Sequence, residues 1–410
     1  MTDTNTLRNL APLNEQMDEI KRGIVDLISE EELAKKIEKA IAAKKPLIIK
    51  FGADPSTSDL HIGHGVVLRK LRAFQDLGHQ AVLIIGDFTA MIGDPTGRSK
   101  TRPMLTIEET KKNALSYVEQ VGKLVDLPTL GIRYNSEWLG TMNFADVIRL
   151  AGTYTVSQML EREDFHKRWD EEQPISLHEM LYPLAQGYDS VAIRSDVELG
   201  GTDQKFNLLV GRELQRHFQI TPQSVITTPL IEGTDGERKM SKSYGNSINF
   251  TDSPDDMFGK TMSIPDPLIH KYFVYTTNAK DLDAIKASLE SGKENPRDLK
   301  VRLAKEIIAG FYDTEKADEA YERFKTMFVK KEVPDDIPEF SLGSNSAIGL
   351  VDLMAEHSLA PSRSEARRLI EAGAVTLSGE KVSDPKALLT PTVDGVVLKV
   401  GKRKFLKVKI

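Results

Sequence analysis

Residues 46–89 read "PLIIKFGADPSTSDLHIGHGVVLRKLRAFQDLGHQAVLIIGDFT", and three segments succeed one another within them. The apolar run "PLIIKFGAD" (46–54) predicts a short strand. In "GHGVVLRKLRAFQDLG" (63–78), Val67, Leu68, Leu71 and Phe74 form one helical stripe, and Gly78 is a natural C-terminal cap. "QAVLIIGDFT" (80–89) predicts a second buried strand. Strand, helix and strand in this order make a βαβ unit, which calls for a parallel sheet with a right-handed crossover. The expected fold class is α/β.

Upstream, Ser29 and Glu32 have capping-box spacing ahead of Leu33, Ile37 and Ile41, which predicts a helix closed by Pro46. Downstream, the chain reads as mostly helical from about 107 to 192. A further strand, turn and helix are expected at "SDVELGGTDQKFNLLVGREL" (195–214), and helices over 251–335. "EVPDDIPEFSLGSNSAIG" (332–349) has linker composition. Two short helices and an alternating hairpin, "DGVVLKVGKRKFLKVKI", end the chain. The expected organisation is an N-terminal helical segment (1–45) and a Rossmann-like parallel-sheet nucleotide-binding domain (46–250) with a helical insertion at about 115–180. A helical domain (251–335), a linker (336–346) and a small α+β domain (347–410) follow.

Composition narrows the function. Among 410 residues, 28% charged and 40% hydrophobic is an ordinary globular mix. No apolar run is long enough for a bilayer, and residues 1–20 lack the pattern of a signal peptide, so a cytoplasmic protein without a membrane partner is expected. The absence of cysteine excludes disulfides and thiolate zinc sites. Net charge is −6, yet residues 361–410 carry 11 Lys/Arg against 5 Asp/Glu. A basic end on an acidic body fits a polyanion-binding domain and equally fits a solvated tail.

The chemistry begins at "HIGH" (61–64). Ligands of open parallel sheets sit beyond the carboxyl ends of the strands, where His61, Gly63 and His64 fall at a helix N-terminus. That end already attracts phosphate, and two imidazoles add donors. Gly63 and Gly65, lacking Cβ, let a flat base approach the backbone. Two histidines alone are more often a zinc or surface pair, but no third ligand stands at metal spacing, so no metal site is expected. A second motif, "ERKMSKSYGN" (237–246), is a polar loop whose Lys239 and Lys242 suit the charge on a departing pyrophosphate.

HIGH, followed by Lys239-Met240-Ser241-Lys242-Ser243, resembles the paired signatures of class I aminoacyl-tRNA synthetases. "LYPLAQGYDSV" (181–191), with Tyr182, Gln186 and Asp189 on one helix face, is similar to the tyrosine-binding helix of the tyrosyl-tRNA synthetases. The resemblance implies that Tyr182 and Gln186 hold the substrate ammonium and Asp189 accepts the phenolic hydroxyl. It implies ATP contacts from His61, Gly63, His64, Gly201, Asp203, Met240 and Lys242, close approach of the adenosine at Gly200 and Gly201, and catalytic roles for His61, His64, Lys239 and Lys242. It further implies that Gly52, Asp54, Thr89, Asp94 and Gln204 line the tyrosine pocket. From the residues alone, Asp203 also reads as a helix N-cap after the Gly200-Gly201 turn, and Arg98, Lys100 and Arg102 read as phosphate contacts or as solvated charges. Lys50 stands where the better-known bacterial branch has tyrosine; other members have lysine.

Residues 347–410 resemble the S4 RNA-binding domain. Arg363, Arg367 and Arg368 on its helix, with Lys402 and Arg403 at its hairpin turn, are the expected RNA contacts. The resemblance implies a homodimer acting on L-tyrosine, ATP and tRNA(Tyr), with Mg2+ accompanying ATP and no tightly bound cofactor. The insertion at about 115–180 is too short for an editing domain. Tryptophanyl-tRNA synthetase, a small-molecule nucleotidyltransferase, which would explain HIGH but not KMSKS or the basic tail, and a catalytically inactive RNA-binding homologue are the other readings.

Overall fold

The computed structural model describes residues 10–55, 59–96, 107–326, 337–343, 346–401 and 404–410. They fall into two compact units divided between Asp318 and Glu319.

A six-stranded sheet organises the first unit. Its strands are β1 (Asp26–Ile28), β2 (Ile48–Ala53), β3 (Gln80–Ile85), β4 (Gly131–Tyr134), β5 (Val197–Gly201) and β6 (Ser224–Thr228), in the order β1-β6-β5-β2-β3-β4. All neighbours are parallel except the β1–β6 pair. The predicted βαβ unit is present: β2 and β3 pair along their whole length, from Ile48 opposite Gln80 to Ala53 opposite Ile85. Ala81 to Ile85 are all buried, as expected of a strand covered on both faces.

Helix α1 (Glu30–Ala43) starts at Ser29, whose hydroxyl accepts the Glu32 amide, and ends at Lys44 in the left-handed conformation. Helix α2 (Ile62–Asp76) connects β2 to β3 and buries Leu68, Leu71 and Phe74 completely. Helix α3 (Leu177–Ile193) lies along α4 (Lys205–His217). Gly187 permits that approach, since a Cβ there would stand 3.1 Å from the Gly211 amide nitrogen.

Helices Pro254–Met262, Ile269–Thr276, Leu282–Ser291 and Pro296–Phe311 occupy the span read as helical and belong to the first unit. Leu299, Leu303, Ile307 and Ile308 supply the buried stripe of the last. Sequence reading passed over β1, β4 and β6, which are short and gain their identity from the strand beside them. Among the described residues no helix is long and apolar enough to cross a membrane.

The second unit has its own core, in which Leu350, Leu353, Ile370, Val375, Leu398 and Val408 are buried. Helix Arg363–Glu371 packs over a sheet that contains the predicted hairpin, Val396–Val400 with Lys404–Lys409, turning at Gly401 with φ +63°.

Candidate active site

A cavity of about 390 Å³ opens at the carboxyl ends of β2, β3 and β5. Each neighbouring element delivers side chains to it. Gly52 and Asp54 come from the end of β2, Thr89 and Asp94 from beyond β3, and His61, Gly63 and His64 from the start of α2. Helix α3 contributes Tyr182, Gln186 and Asp189. The turn after β5 adds Gly201, Asp203 and Gln204, and the loop after β6 adds Lys239 and Met240. Residues separated by up to 188 positions in the chain thus share one wall, and they are nearly all of those expected from the two signatures and the α3 pattern.

At one end the His61 and His64 rings lie 3.9 Å apart. Burial holds the His64 imidazolium pKa down at about 4. Burial also pushes His61 well below its ordinary value, helped by the neighbouring His64 and Lys239. Both rings are therefore neutral at physiological pH. His64 Nδ1 accepts the His61 backbone N–H at 3.2 Å, which assigns the ring proton to Nε2, where it is available to a ligand.

The middle of the cavity is acidic. Asp54 accepts from the Thr89 hydroxyl at 2.7 Å and from the Tyr182 hydroxyl at 2.9 Å. Tyr182 is held protonated, first by burial and then by the nearby Asp54 and Asp94 charges. Asp94 accepts from Gln204 Nε2 at 2.9 Å and from the Thr96 hydroxyl at 2.6 Å. The Arg162 guanidinium completes this group, donating to Asp94 at 3.3 Å and to Thr96 at 2.6 Å. Sequence reading missed Arg162, which stands in "LEREDF" among charges that look solvated, yet is only 4% exposed.

Asp189 lies at the buried end, 2% exposed. Its carboxylate accepts the Trp138 indole N–H at 2.8 Å and the Asn135 amide at 3.4 Å. Burial pushes its pKa up to about 7, against the opposing pull of Lys50, Trp138 and Asn135. Nothing in "NSEWLG" marked Trp138 or Asn135 as partners of a residue some fifty positions away.

Three expectations need correction, at Gly65, Gly200 and the N-cap reading of Asp203. Gly65 does not face the cavity: a Cβ there would meet Leu124 at 3.3 Å and the Phe250 ring at 3.5 Å, so it serves helix packing. Gly200 likewise lies against Leu208 and Gln204, while Gly201 keeps its place on the wall. Asp203 is not an N-cap, because the two helical turns begin at Gly201 and Gln204. Burial raises its pKa, with Lys239 opposing. Lys242 is not among the lining residues and forms an ion pair with Asp59. Arg363 pairs with Asp352 at 2.8 Å, Arg368 with Glu365 at 2.6 Å, and Arg367 is exposed. Arg98, Lys100, Arg102, Lys402 and Arg403 lie outside the described residues.

Two neutral histidines, a group of acidic and hydroxyl side chains and a buried carboxylate thus share the walls of one cavity. The comparisons make this specific. Residues 42–329 match the family described as tRNA synthetases class I (W and Y), and residues 329–408 match the tyrosine–tRNA ligase SYY-like C-terminal domain. The tyrosine–tRNA ligase of Thermotoga maritima is 54% identical over 397 residues, covering 96% of this chain and 97% of its own. That of Chlorobaculum tepidum is 52% identical over 397 residues and 97% of each chain. The fold is also that of the tyrosyl-tRNA synthetase of Archaeoglobus fulgidus, solved with L-tyrosine, at a TM-score of 0.63 and 23% identity over 75% of this chain and 99% of that one. The Aeropyrum pernix tyrosyl-tRNA synthetase gives 0.61 and 21% over 76% and 98%. The chain belongs to the tyrosine–tRNA ligases, within the class I aminoacyl-tRNA synthetases.

Proposed function

We propose that the cavity performs both half-reactions of tyrosine–tRNA ligation, with the residue roles that follow. A tyrosine carboxylate oxygen attacks the α-phosphorus of ATP, the bond to the β-phosphate oxygen breaks, and tyrosyl-adenylate and pyrophosphate form. A terminal ribose hydroxyl of tRNA(Tyr) then attacks the acyl carbon and releases AMP. The observation that supports this reading best is that the His61–His64 pair and Asp189 stand on the walls of one cavity.

No side chain acts as a nucleophile; the residues position and stabilise charge. The neutral His64 donates through Nε2 to ATP phosphate oxygens as negative charge develops, with His61 beside it, and Lys239 and Lys242 receive the pyrophosphate. Gly63, Gly201 and Met240 border the nucleotide, and Asp203 accepts from the ribose hydroxyls. The ammonium group of tyrosine is drawn to Asp94, Tyr182 and Gln186, with Gly52, Asp54, Thr89 and Gln204 shaping the pocket. Asp189 accepts the phenolic hydroxyl, and phenylalanine is rejected because it leaves that buried carboxylate without its ligand partner. Magnesium accompanies ATP and is held mainly by its phosphates.

The exposed Arg363, Arg367 and Arg368 of the second unit, together with Lys402 and Arg403, contact tRNA. A homodimer forms through the apolar surface of the insertion, and the protein works in the cytoplasm. ATP–pyrophosphate exchange without tRNA tests the central reading. Exchange with tyrosine and not with tryptophan or phenylalanine is expected; exchange with tryptophan would overturn the assignment of the α3 residues.

A further inference from the structure

Lys50 is completely buried, and the structure accounts for all of its reach. It sits on β2 directly across from Glu198 on β5, and its ammonium group forms an ion pair with Glu198 Oε1 at 2.8 Å. The same Nζ donates to the Gln186 carbonyl oxygen at 2.9 Å and to Ser190 Oγ at 2.8 Å. Those two acceptors lie one turn apart on α3, and the residues between them include Asp189. Two of its three N–H donors are committed to α3 and its charge to Glu198, and Lys50 is not among the residues lining the cavity.

We propose that Lys50 is a positioning residue for tyrosine: it ties the Gln186–Ser190 turn of α3 to the centre of the sheet and, as a buried cation held at that turn, keeps the Asp189 carboxylate ready to accept the phenol. The inference rests on the assignment of Asp189 made above.

Helix α3 needs such a tie. Pro183, in its interior, has no N–H for the preceding turn, and Gly187, four residues on, adds backbone freedom. The stretch carrying Tyr182, Gln186 and Asp189 is thus the part of the helix least held by its own backbone. Lys50 grips it from below. Glu198 is itself fixed by Ser190 Oγ at 3.0 Å and by the Gln223 amide, and Gln215 donates to the Ser190 carbonyl at 3.1 Å. A buried ion pair is weak evidence for stability as such, because desolvation offsets much of its attraction. Its value here lies in fixing one geometry.

Among the described residues, the groups acting on Asp189 are Lys50 from β2, Glu198 from β5, and Trp138 and Asn135 from the segment after β4. Lys50 is the one cation among them. Its removal loosens the turn and withdraws the positive charge that favours the ionised carboxylate, so both consequences fall on tyrosine and neither on ATP.

The test is steady-state ATP–pyrophosphate exchange on the full chain, for Lys50→Met and for Lys50→Met combined with Glu198→Gln, which leaves no unpaired buried charge if the single variant folds poorly. Alongside them stands Asp189→Asn, read for discrimination between tyrosine and phenylalanine. We expect KM for tyrosine to rise roughly tenfold or more, the scale of one lost buried charge-assisted hydrogen bond, with KM for ATP unchanged. The acid limb of kcat/KM for tyrosine should move to higher pH in both Lys50 variants, and further in the single one. Unchanged tyrosine KM and pH limb, while Asp189→Asn abolishes discrimination, would make Lys50 purely structural. Discrimination retained in Asp189→Asn would remove the underlying assignment, and this proposal with it.

Discussion

Trp138 donates its indole N–H to Asp189 Oδ1 at 2.8 Å, so a residue of the insertion braces the most buried carboxylate of the cavity. A charged acceptor makes this the stronger kind of hydrogen bond, and it favours the ionised form. Burial nonetheless leaves the Asp189 pKa at about 7. A carboxylate must be ionised to accept from the phenol without donating, so tyrosine binding weakens as pH falls through that value. Trp138→Phe removes one stabiliser of the charged form. The acid limb of kcat/KM for tyrosine, which reports the free enzyme, should then shift toward higher pH. A limb that stays in place or moves to lower pH would show that the indole does not act through Asp189.

The same carboxyl makes a prediction about stability. Its pKa rises from an ordinary 3.8 to about 7 on folding, so between those values the folded chain binds more protons than the unfolded one. Stability therefore falls as pH rises through this window, by about 4 kcal/mol if the whole shift is realised. Asparagine has no charge to bury. Asp189→Asn should melt at a higher temperature than the parent at pH 8, with the gap narrowing steadily as pH falls toward 4, while losing selection against phenylalanine. Equal melting temperatures at pH 8 would mean that the site relaxes around the charge.

What was legible in the sequence and what was not divides along a physical line. The HIGH and KMSKS segments and the Tyr182–Gln186–Asp189 face are local patterns, and local patterns fix where side chains point on one element. Contacts between distant elements carry no such signature. Arg162, Asn135 and Trp138 come from the insertion, where their charge and aromaticity read as ordinary surface, yet the fold turns them toward Asp94 and Asp189. Lys50 stood out only as a departure from the better-known bacterial branch, and its partner Glu198 is set by strand register, which only the folded sheet reveals. The reverse error arose at Gly65 and Gly200: a missing Cβ was read as room for a nucleotide, whereas Leu124, Phe250 and Leu208 fill it.

His64 acts, in this reading, as a neutral donor. His64→Ala should lower the single-turnover rate of adenylate formation by about 10²–10³, the effect of losing one preorganised donor. Because burial keeps its pKa near 4, the rate at saturating tyrosine should show no imidazole ionisation between pH 6 and 8. A limb near 6.5 that disappears in the variant would mean that the imidazolium is the active form.

Helix Phe144–Ala151 is capped by Asn143, which accepts from the amides of Ala145 and Asp146, and of its residues only Leu150 is buried. Phe144 and Ile148, one turn apart on the same face, are 80% and 57% exposed, and Val156 and Leu177 nearby in the chain are 59% and 83% exposed. Scattered apolar residues on a surface need no explanation, but a helix that turns its larger apolar side chains to water does, and a second subunit is the usual cover. Aspartate at both Phe144 and Ile148 places two charges where that cover would sit, and it disturbs nothing in the core because both side chains are already outside it. By sedimentation equilibrium the parent should have roughly twice the chain mass of 45.7 kDa and the double variant one chain mass, with its far-ultraviolet circular dichroism unchanged. A double variant that remains dimeric would locate the interface elsewhere on the first unit, and a parent that is monomeric at micromolar concentration would remove the dimer altogether.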